Sequence, residues 1–384
     1  MKLRHRLLTA AAVAGIAVCA PRALALVSLE DGRDHLFVDG TVEMGYDSNV
    51  FANAQSGGSM LVEGTLSTEF ARRAGLIGVN VTASVTFARY ANFREQDYVD
   101  PKVTAEFTKQ TGRTTGSLLV SAQRENRADV DANTRDVSWN YDVALNFQYP
   151  VIQRYSISGS FEYNYADYQD QQLFTNLATY TGNLYLFYIL SEQRDFFIDY
   201  RERYSQLADG SDDIDDSLSA GLNGRVFGPF NGSLQGGYTI RTTSGGADAG
   251  RYGDFTASGA LTWNMNRQMT LSGDLARDFS TTATAQSIDS TSIGLTFKDS
   301  LTKKASLSLE GSAGQSRFLG EEGLIAPGGA RRVDDFVSVN TSYSYTLNQH
   351  LKASINYIYF RNWSTLAYAE FPRQQVNISL TSHW

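Results

Sequence analysis

From His35 to Trp384 the chain alternates apolar and polar positions with a period of two. "HLFVDGTVEMGY" sets Leu36, Val38, Val42, Met44 and Tyr46 on one face and Asp39, Thr41 and Glu43 on the other. "SWNYDVALNFQY", "YSISGSFEYNY" and "VSVNTSYSYTL" repeat the division, with Ser, Asn and Gln opposite Tyr, Phe and Val. The last residues, "VNISLTSHW", follow it too, with Val376, Ile378, Leu380 and Trp384 against Asn377, Ser379 and Thr381. A period of two is that of a strand whose faces meet different media.

The connections fall into two kinds. Short ones, "RRAG", "TGRTTG", "PVIQR", "SEQR", "GPFN", "MNRQ", "LTKK" and "LNQH", recur every 35 to 47 residues. Longer polar segments lie between them, among them "ANAQSGGS", "QDQQLFTN", "LADGSDDI", "TSGGADAG" and "GEEGLIAPGGA". Alternating short turns and long loops describe up-and-down hairpins with two distinct ends. Eight short turns join sixteen strands, and one more strand at each terminus makes about 18, an even number. No linker interrupts the pattern, so residues 26–384 are expected to form one domain.

Composition decides which medium each face meets. Aromatics are 12% of the chain, with 21 Tyr and 21 Phe, yet the mean hydropathy is -0.29. A soluble sandwich would show a charge-rich outer face and an aliphatic inner one. Here the polar face is hydroxyl- and amide-rich, and Tyr or Trp caps apolar rows of roughly 9 to 11 residues, the pattern of a hydrocarbon band between aromatic girdles. The expected fold is all-β, a transmembrane up-and-down antiparallel β-barrel of about 18 strands. Backbone groups in lipid must all be bonded, so the last strand is expected to close on the first. After Ala25 the longest unbroken apolar run is "LYLFYIL", far short of the roughly 20 residues of a membrane helix.

The first 25 residues read as a secretory signal. Lys2, Arg4 and Arg6 precede an apolar run from Leu7 to Ala20, and Ala23-Leu24-Ala25 supplies a small-residue cleavage site. A lipoprotein reading through Cys19 is weighed against Val18, larger than the small residue such sites carry. Cys19 is the only cysteine, so the exported chain has no disulfide to hold it. Losing Lys2, Arg4, Arg6 and Arg22 takes the net charge from -8 to -12, which argues against nucleic acid as a partner.

Near the start stands "GYDSNVF", Gly45, Tyr46, Asp47, Ser48, Asn49, Val50 and Phe51. It resembles the opening motif of the outer-membrane β-barrel porins of the putative beta-barrel porin 2 type, often encoded beside exopolysaccharide and capsule biosynthesis genes. The aromatic hairpins and final strand are similar to that family as well. The resemblance implies a Gram-negative-type outer-membrane pore assisting export of exopolysaccharide or capsule, with polysaccharide and periplasmic export components as partners. Outer-membrane lipid and the barrel assembly machinery are expected partners of any such barrel. Trp384 stands where assembly substrates usually end on Phe.

Candidate chemistry is sparse. Asp39, Glu43, Glu63, Glu69, Glu162, Asp199, Arg201, Arg203, Arg225, Arg241 and Glu310 fall on the lumen parity, where mixed charges either set ion preference or pair across a hydrated interior. Asp47, Ser48 and Asn49 read as a turn and cap at a strand end, against a role at the channel mouth or as cation ligands. "ADGSDDIDD", with Asp209, Asp212, Asp213, Asp215 and Asp216, lacks the spacing of a calcium loop and reads as a solvated acidic loop. A barrel hydrolase needs a base near its nucleophile. His35, His350 and His383 all fall at the short-turn rim, so no catalytic residue, metal or cofactor is expected. Alternatives to export are a general or nutrient-uptake porin, which needs a constriction loop folded inward, and a non-transporting structural or adhesive barrel.

Overall fold

The computed structural model describes residues 27–29, 34–55, 57–73, 75–245, 249–319 and 331–384. The expected signal peptide and the loop at 320–330 lie outside the described residues.

A short strand, β1 (Val27–Leu29), precedes the barrel, whose strands are β2 (Asp34–Asp47), β3 (Ser59–Arg72), β4 (Gly78–Tyr90), β5 (Tyr98–Lys109), β6 (Thr115–Asp129), β7 (Thr134–Ile152), β8 (Tyr155–Tyr168), β9 (Leu177–Ser191) and β10 (Arg194–Leu207). They continue as β11 (Asp212–Phe227), β12 (Phe230–Ser244), β13 (Gly250–Asn264), β14 (Met269–Thr281), β15 (Ser287–Asp299), β16 (Ala305–Phe318), β17 (Val333–Thr346), β18 (Leu351–Ser364) and β19 (Phe371–His383). Each pairs antiparallel with its neighbours, and β19 pairs with β2 from Gln375↔Asp47 to His383↔Asp39. The result is the closed 18-strand barrel that the alternation predicts. Each of the eight short connections read from the sequence joins two strands at one end of it.

The apolar parity faces outward. Val42, Met44, Leu218 and Ile378 are 57–61% exposed, so these side chains make an outer surface rather than a core. Such a surface is stable only against lipid, which also requires the closed ring of hydrogen bonds. Exposed Tyr46, Tyr141, Tyr200 and Tyr238 ring the long-loop end, and Phe147, Tyr155, Tyr345 and Trp384 ring the other. In an outer-membrane barrel these are the extracellular and periplasmic interfaces.

At the short-turn rim Trp384 extends the seam, its amide donating to the Val38 carbonyl at 2.9 Å and its carbonyl accepting from the Val38 amide at 2.8 Å. Its indole stacks on His350, 4.1 Å between centroids. His383 pairs with Asp39 and stacks on Phe37.

The ladder stops short of the mouth at two junctions: β5–β6 ends at Lys102↔Gln123 while β6–β7 runs on to Asp129↔Thr134, and β13–β14 ends early as well. Pairing of β13 with β14 runs from Asn264↔Thr270 to Ala257↔Arg277 and stops, whereas β14 stays with β15 up to Thr281↔Ser287. The β14–β15 hairpin therefore parts from β13 while β15 stays paired with β16 up to Ile288↔Phe318, and its contacts with β10, β11 and β12 show that the β14 side bends inward.

Candidate functional site

The motif around Asp47 locks the seam where the ring closes. Asp47 is 2% exposed, and its carboxylate accepts from Arg373 Nε at 3.0 Å and Nη2 at 2.6 Å, from Gln375 Nε2 at 3.0 Å, and from the Asn49 amide at 2.9 Å. One side chain thus clamps β19 through a two-pronged charged contact and turns its own chain out of β2. Ser48 carries the pairing further, its Oγ accepting from the Gln374 amide at 2.8 Å. Gly45 leaves room for Asn377, which any Cβ there would strike. Asn49, fully buried, donates to the Asn53 carbonyl at 2.7 Å and the Pro372 carbonyl at 3.3 Å.

Beyond the motif the connection folds over the mouth instead of projecting from it. Val50 and Ala52 are fully buried, and Phe51 packs edge-on against Phe93 at 5.1 Å. The Val50 carbonyl accepts from Arg135 Nη1 at 3.2 Å, and that of Ala52 from Asn133 Nδ2 at 3.3 Å, both from the β6–β7 hairpin. The Ala54 amide donates to the Tyr368 carbonyl at 3.1 Å in the β18–β19 connection. Arg332 ties in the approach to β17, with Nη1 on the Asp131 carbonyl at 2.6 Å and its guanidinium 4.2 Å over the Phe318 ring. On the opposite side the Thr175 amide donates to the Ala283 carbonyl at 2.8 Å, and Ala166, Tyr168, Phe174 and Ala283 form a buried cluster against which Ala132 packs. Seven connections, β2–β3, β4–β5, β6–β7, β8–β9, β14–β15, β16–β17 and β18–β19, thus contribute described residues to one lid. Burial of its large apolar side chains stabilises it by about 1.5–3 kcal/mol each.

Among the described residues, the non-glycine positions in the left-handed region are Ala52 (φ +53°), Asn133 (+56°) and Ala285 (+59°). All three lie in lid connections, where each conformation costs of order 1 kcal/mol that the packing offsets.

A charged bridge anchors the inward hairpin. Arg201 holds Asp278 through both Nη atoms at 2.8 Å, and Arg203 reaches the same carboxylate at 3.1 Å while its Nε donates to Asp215 at 2.7 Å. Arg241, fully buried, grips Asp215 at 2.7 and 2.8 Å and donates to the Ser280 carbonyl at 2.8 Å. Asp213 accepts from Thr243, Thr281 and Ser287. The bridge therefore links β10, β11 and β12 to the ends of β14 and β15, bypassing β13.

This corrects the reading of "ADGSDDIDD" as a solvated loop: Asp213 and Asp215 are 2% and 0% exposed and belong to β11. The cause is the register, Arg203↔Asp215↔Arg241, which supplies cations on both flanks. Asp278, Arg332 and Arg373 were not singled out in the sequence. Asp278 does share a parity with Asp274 and Ala276, but no local spacing signals an ion pair between strands four apart.

The remaining sequence-predicted residues scatter over the lumen wall. Glu43 and Glu63 stand directly opposite on β2 and β3, and Glu63 accepts from Tyr98 at 2.8 Å. Glu69 accepts from Asn80 at 2.7 Å. Glu162 on β8 lies across from Thr181, and Glu310 on β16 across from Asn340. Arg225 sits at the short-turn rim beside a bulge, donating to the Gly228 carbonyl at 2.7 Å. Asp199, 3% exposed, sits on β10 below Arg201.

In the lid, burial and the neighbouring Asp129 push the Asp131 carboxyl up to about 6, against the pull of Arg332. A carboxyl raised by the closed lid binds its proton more tightly there, so falling pH favours closure through this window. Single-channel current is expected to decline between pH 7 and pH 5, and Asp131→Asn is expected to abolish that step; a pH-dependent current retained in the variant would exclude Asp131 as its source.

The family model described as Putative beta-barrel porin 2 matches residues 216–383. That stretch does not include the "GYDSNVF" motif at residues 45–51. No curated protein matches the chain in sequence. Among solved structures, OccAB2 of Acinetobacter baumannii is similar with a TM-score of 0.50 at 10% identity, over 93% of this chain and 99% of that one. The outer membrane protein OpdK of Pseudomonas aeruginosa follows at 0.49 and 13% identity, over 91% and 99%. At such identities the likeness is one of fold. Residues 216–383 carry the sequence pattern of the putative beta-barrel porin 2 family, on a closed 18-strand barrel of a Gram-negative-type outer membrane.

Proposed function

We propose that the barrel is a selective diffusion porin that admits small polar solutes, cationic or neutral in preference to anionic, and performs no chemistry on them. The observation that carries this reading is the inward β14–β15 hairpin held by Arg201, Arg203 and Arg241, the constriction that uptake through a lumen this wide requires. Polysaccharide export asks for a wide or gated path, and nothing beyond the family resemblance favours it. An adhesive role is disfavoured because the described connections pack on one another. Insertion through the barrel assembly machinery, with Trp384 read as the terminal signal and residues 1–25 removed on export, belongs to the same proposal.

Charge preference follows from which lumen groups are neutralised. Arg201, Arg203 and Arg241 are held by Asp215 and Asp278, Arg127 by Asp129 and Asp136, and Arg373 by Asp47. Glu63, Glu69 and Asp142 accept from neutral donors, Tyr98, Asn80, Ser121 and Asn164. Carboxylates on a channel wall favour cations. In planar bilayers under a potassium chloride gradient, the reversal potential is expected to report cation selectivity, weakened in Glu43→Gln/Glu63→Gln. Anion selectivity, or no conductance even with the lid weakened, would sink the proposal.

A further inference from the structure

We infer that the lumen wall formed by β9 and β10 carries a binding subsite for an organic monocation, with Asp199 as counter-ion and the rings of Tyr185, Phe187 and Phe197 as its bed. The inference deepens the diffusion reading by naming a solute class, and rests on that reading only for how the solute arrives.

The register Tyr185↔Asp199 and Phe187↔Phe197 places all four side chains on the lumen parity. Elsewhere that parity is largely hydroxyl and amide, for instance Ser158 and Ser160 on the adjoining β8. The three rings are one another's partners: centroids lie 5.9 Å apart for Tyr185–Phe187 and Tyr185–Phe197, and 5.4 Å for Phe187–Phe197. Phe197 is 3% exposed and lies against the next strand at Gly221, where a Cβ would stand 2.6 Å from its Cζ. The bare wall at Gly221 is what lets the ring lie down. Phe336, Phe360 and Phe371, by contrast, stack along β17 to β19 near the lid connections.

Asp199 supplies the second, independent observation. Its side chain is buried, and Oδ1 has no hydrogen-bond partner. Arg201, two residues along β10, has Nη1 engaged by Asp278 and Nη2 by Asp278 and Ser217. A buried carboxylate oxygen left without a donor is unfavourable until a cation or N–H supplies one. Aromatic faces attract the same partner and repel an anion. The chemistry that satisfies carboxylate and rings together is an ammonium or guanidinium head on an apolar or aromatic body.

The test uses the full barrel purified in detergent, titrated calorimetrically with phenethylammonium and with phenylacetate, which share a ring and differ in charge. Phenethylammonium should bind with a sub-millimolar Kd, weakened about tenfold or more by Asp199→Asn and a few-fold by Phe197→Leu, while phenylacetate gives no saturable heat. Equal binding of the two probes, or wild-type affinity in a folded Asp199→Asn barrel, overturns the subsite. Should Asp199→Asn fail to fold, Phe197→Leu decides, and unchanged affinity there overturns it as well. Bilayer recordings separate the two proposals: a barrel that conducts but does not bind phenethylammonium removes the subsite alone, and one that binds but never conducts supports the subsite and removes the diffusion reading.

Discussion

Asp278→Ala is expected to raise single-channel conductance several-fold by freeing the hairpin that narrows the mouth. Asp278 belongs to the inward-bent end of β14 and is the carboxylate through which Arg201 and Arg203 hold it. Removing it takes from the largely buried Arg201 guanidinium its hydrogen-bonded counter-ion, while Arg203 keeps Asp215. Breaking a buried pair at one end costs about 3–5 kcal/mol, mostly through the charge left behind. That energy is lost only from the folded-in arrangement, because a released Arg201 can hydrate in the lumen. A shift of about 3 kcal/mol changes the ratio of closed to open lid by more than a hundredfold, enough to make a rare opening the usual state. The hydrogen bonds from Arg203 to the Phe279 carbonyl and from Arg241 to the Ser280 carbonyl remain and set an upper limit on the gain. Deleting 282–286 should have a similar effect by a different route. Unaltered conductance in both variants would mean that the hairpin does not limit flow.

The second large effect is expected on the barrel itself. Asp47→Ala strands Arg373, whose side chain is 18% exposed, at the one seam whose two strands are not neighbours in sequence. The penalty is again about 3 kcal/mol or more, with the loss of the Asn49 turn and the Gln375 contact added to it. Unlike the bridge, these contacts act at the closing pair of strands, so the defect should appear as a lower midpoint of unfolding in denaturant and a smaller yield of folded barrel. Arg373→Lys should recover only part of the stability, since an ammonium cannot reproduce the two-pronged contact. A variant with unchanged unfolding midpoint would show that pairing of β19 with β2 needs no side-chain lock.

Much of this could be read from the chain alone, and the boundary has a physical cause. Strand number, the two faces and the eight short turns follow from the period of two, because each strand reports its medium through its own residues. "GYDSNVF" announced a turn through Asp47 and Asn49 by local chemistry. What remained hidden is what depends on register and on inward folding. Asp213 and Asp215 looked like a wet loop because the arginines that bury them are contributed by β10 and β12. The lid is not signalled because its contacts join connections far apart in sequence: Arg135 and Asn133 bond the Val50 and Ala52 carbonyls, and Thr175 bonds that of Ala283. Asp199 was legible as a lumen carboxylate, but its aromatic surroundings appear only once Tyr185 and Phe197 are brought level by pairing.

The seam between β2 and β19 joins Asp47 to Arg373, positions separated by 326 residues. Every other junction of the ring can form as the chain emerges, from strands already adjacent, but this one waits for the final strand. Joining ends so distant carries the largest loop-closure penalty in the molecule, and non-local pairings of this kind are slow. Until then the nascent sheet holds two unsatisfied edges, each a template for pairing with another chain. Folding should accordingly look all-or-none in time, with a lag and then rapid acquisition of protease resistance, and a chain halted before Phe371 should persist as an open, aggregation-prone sheet.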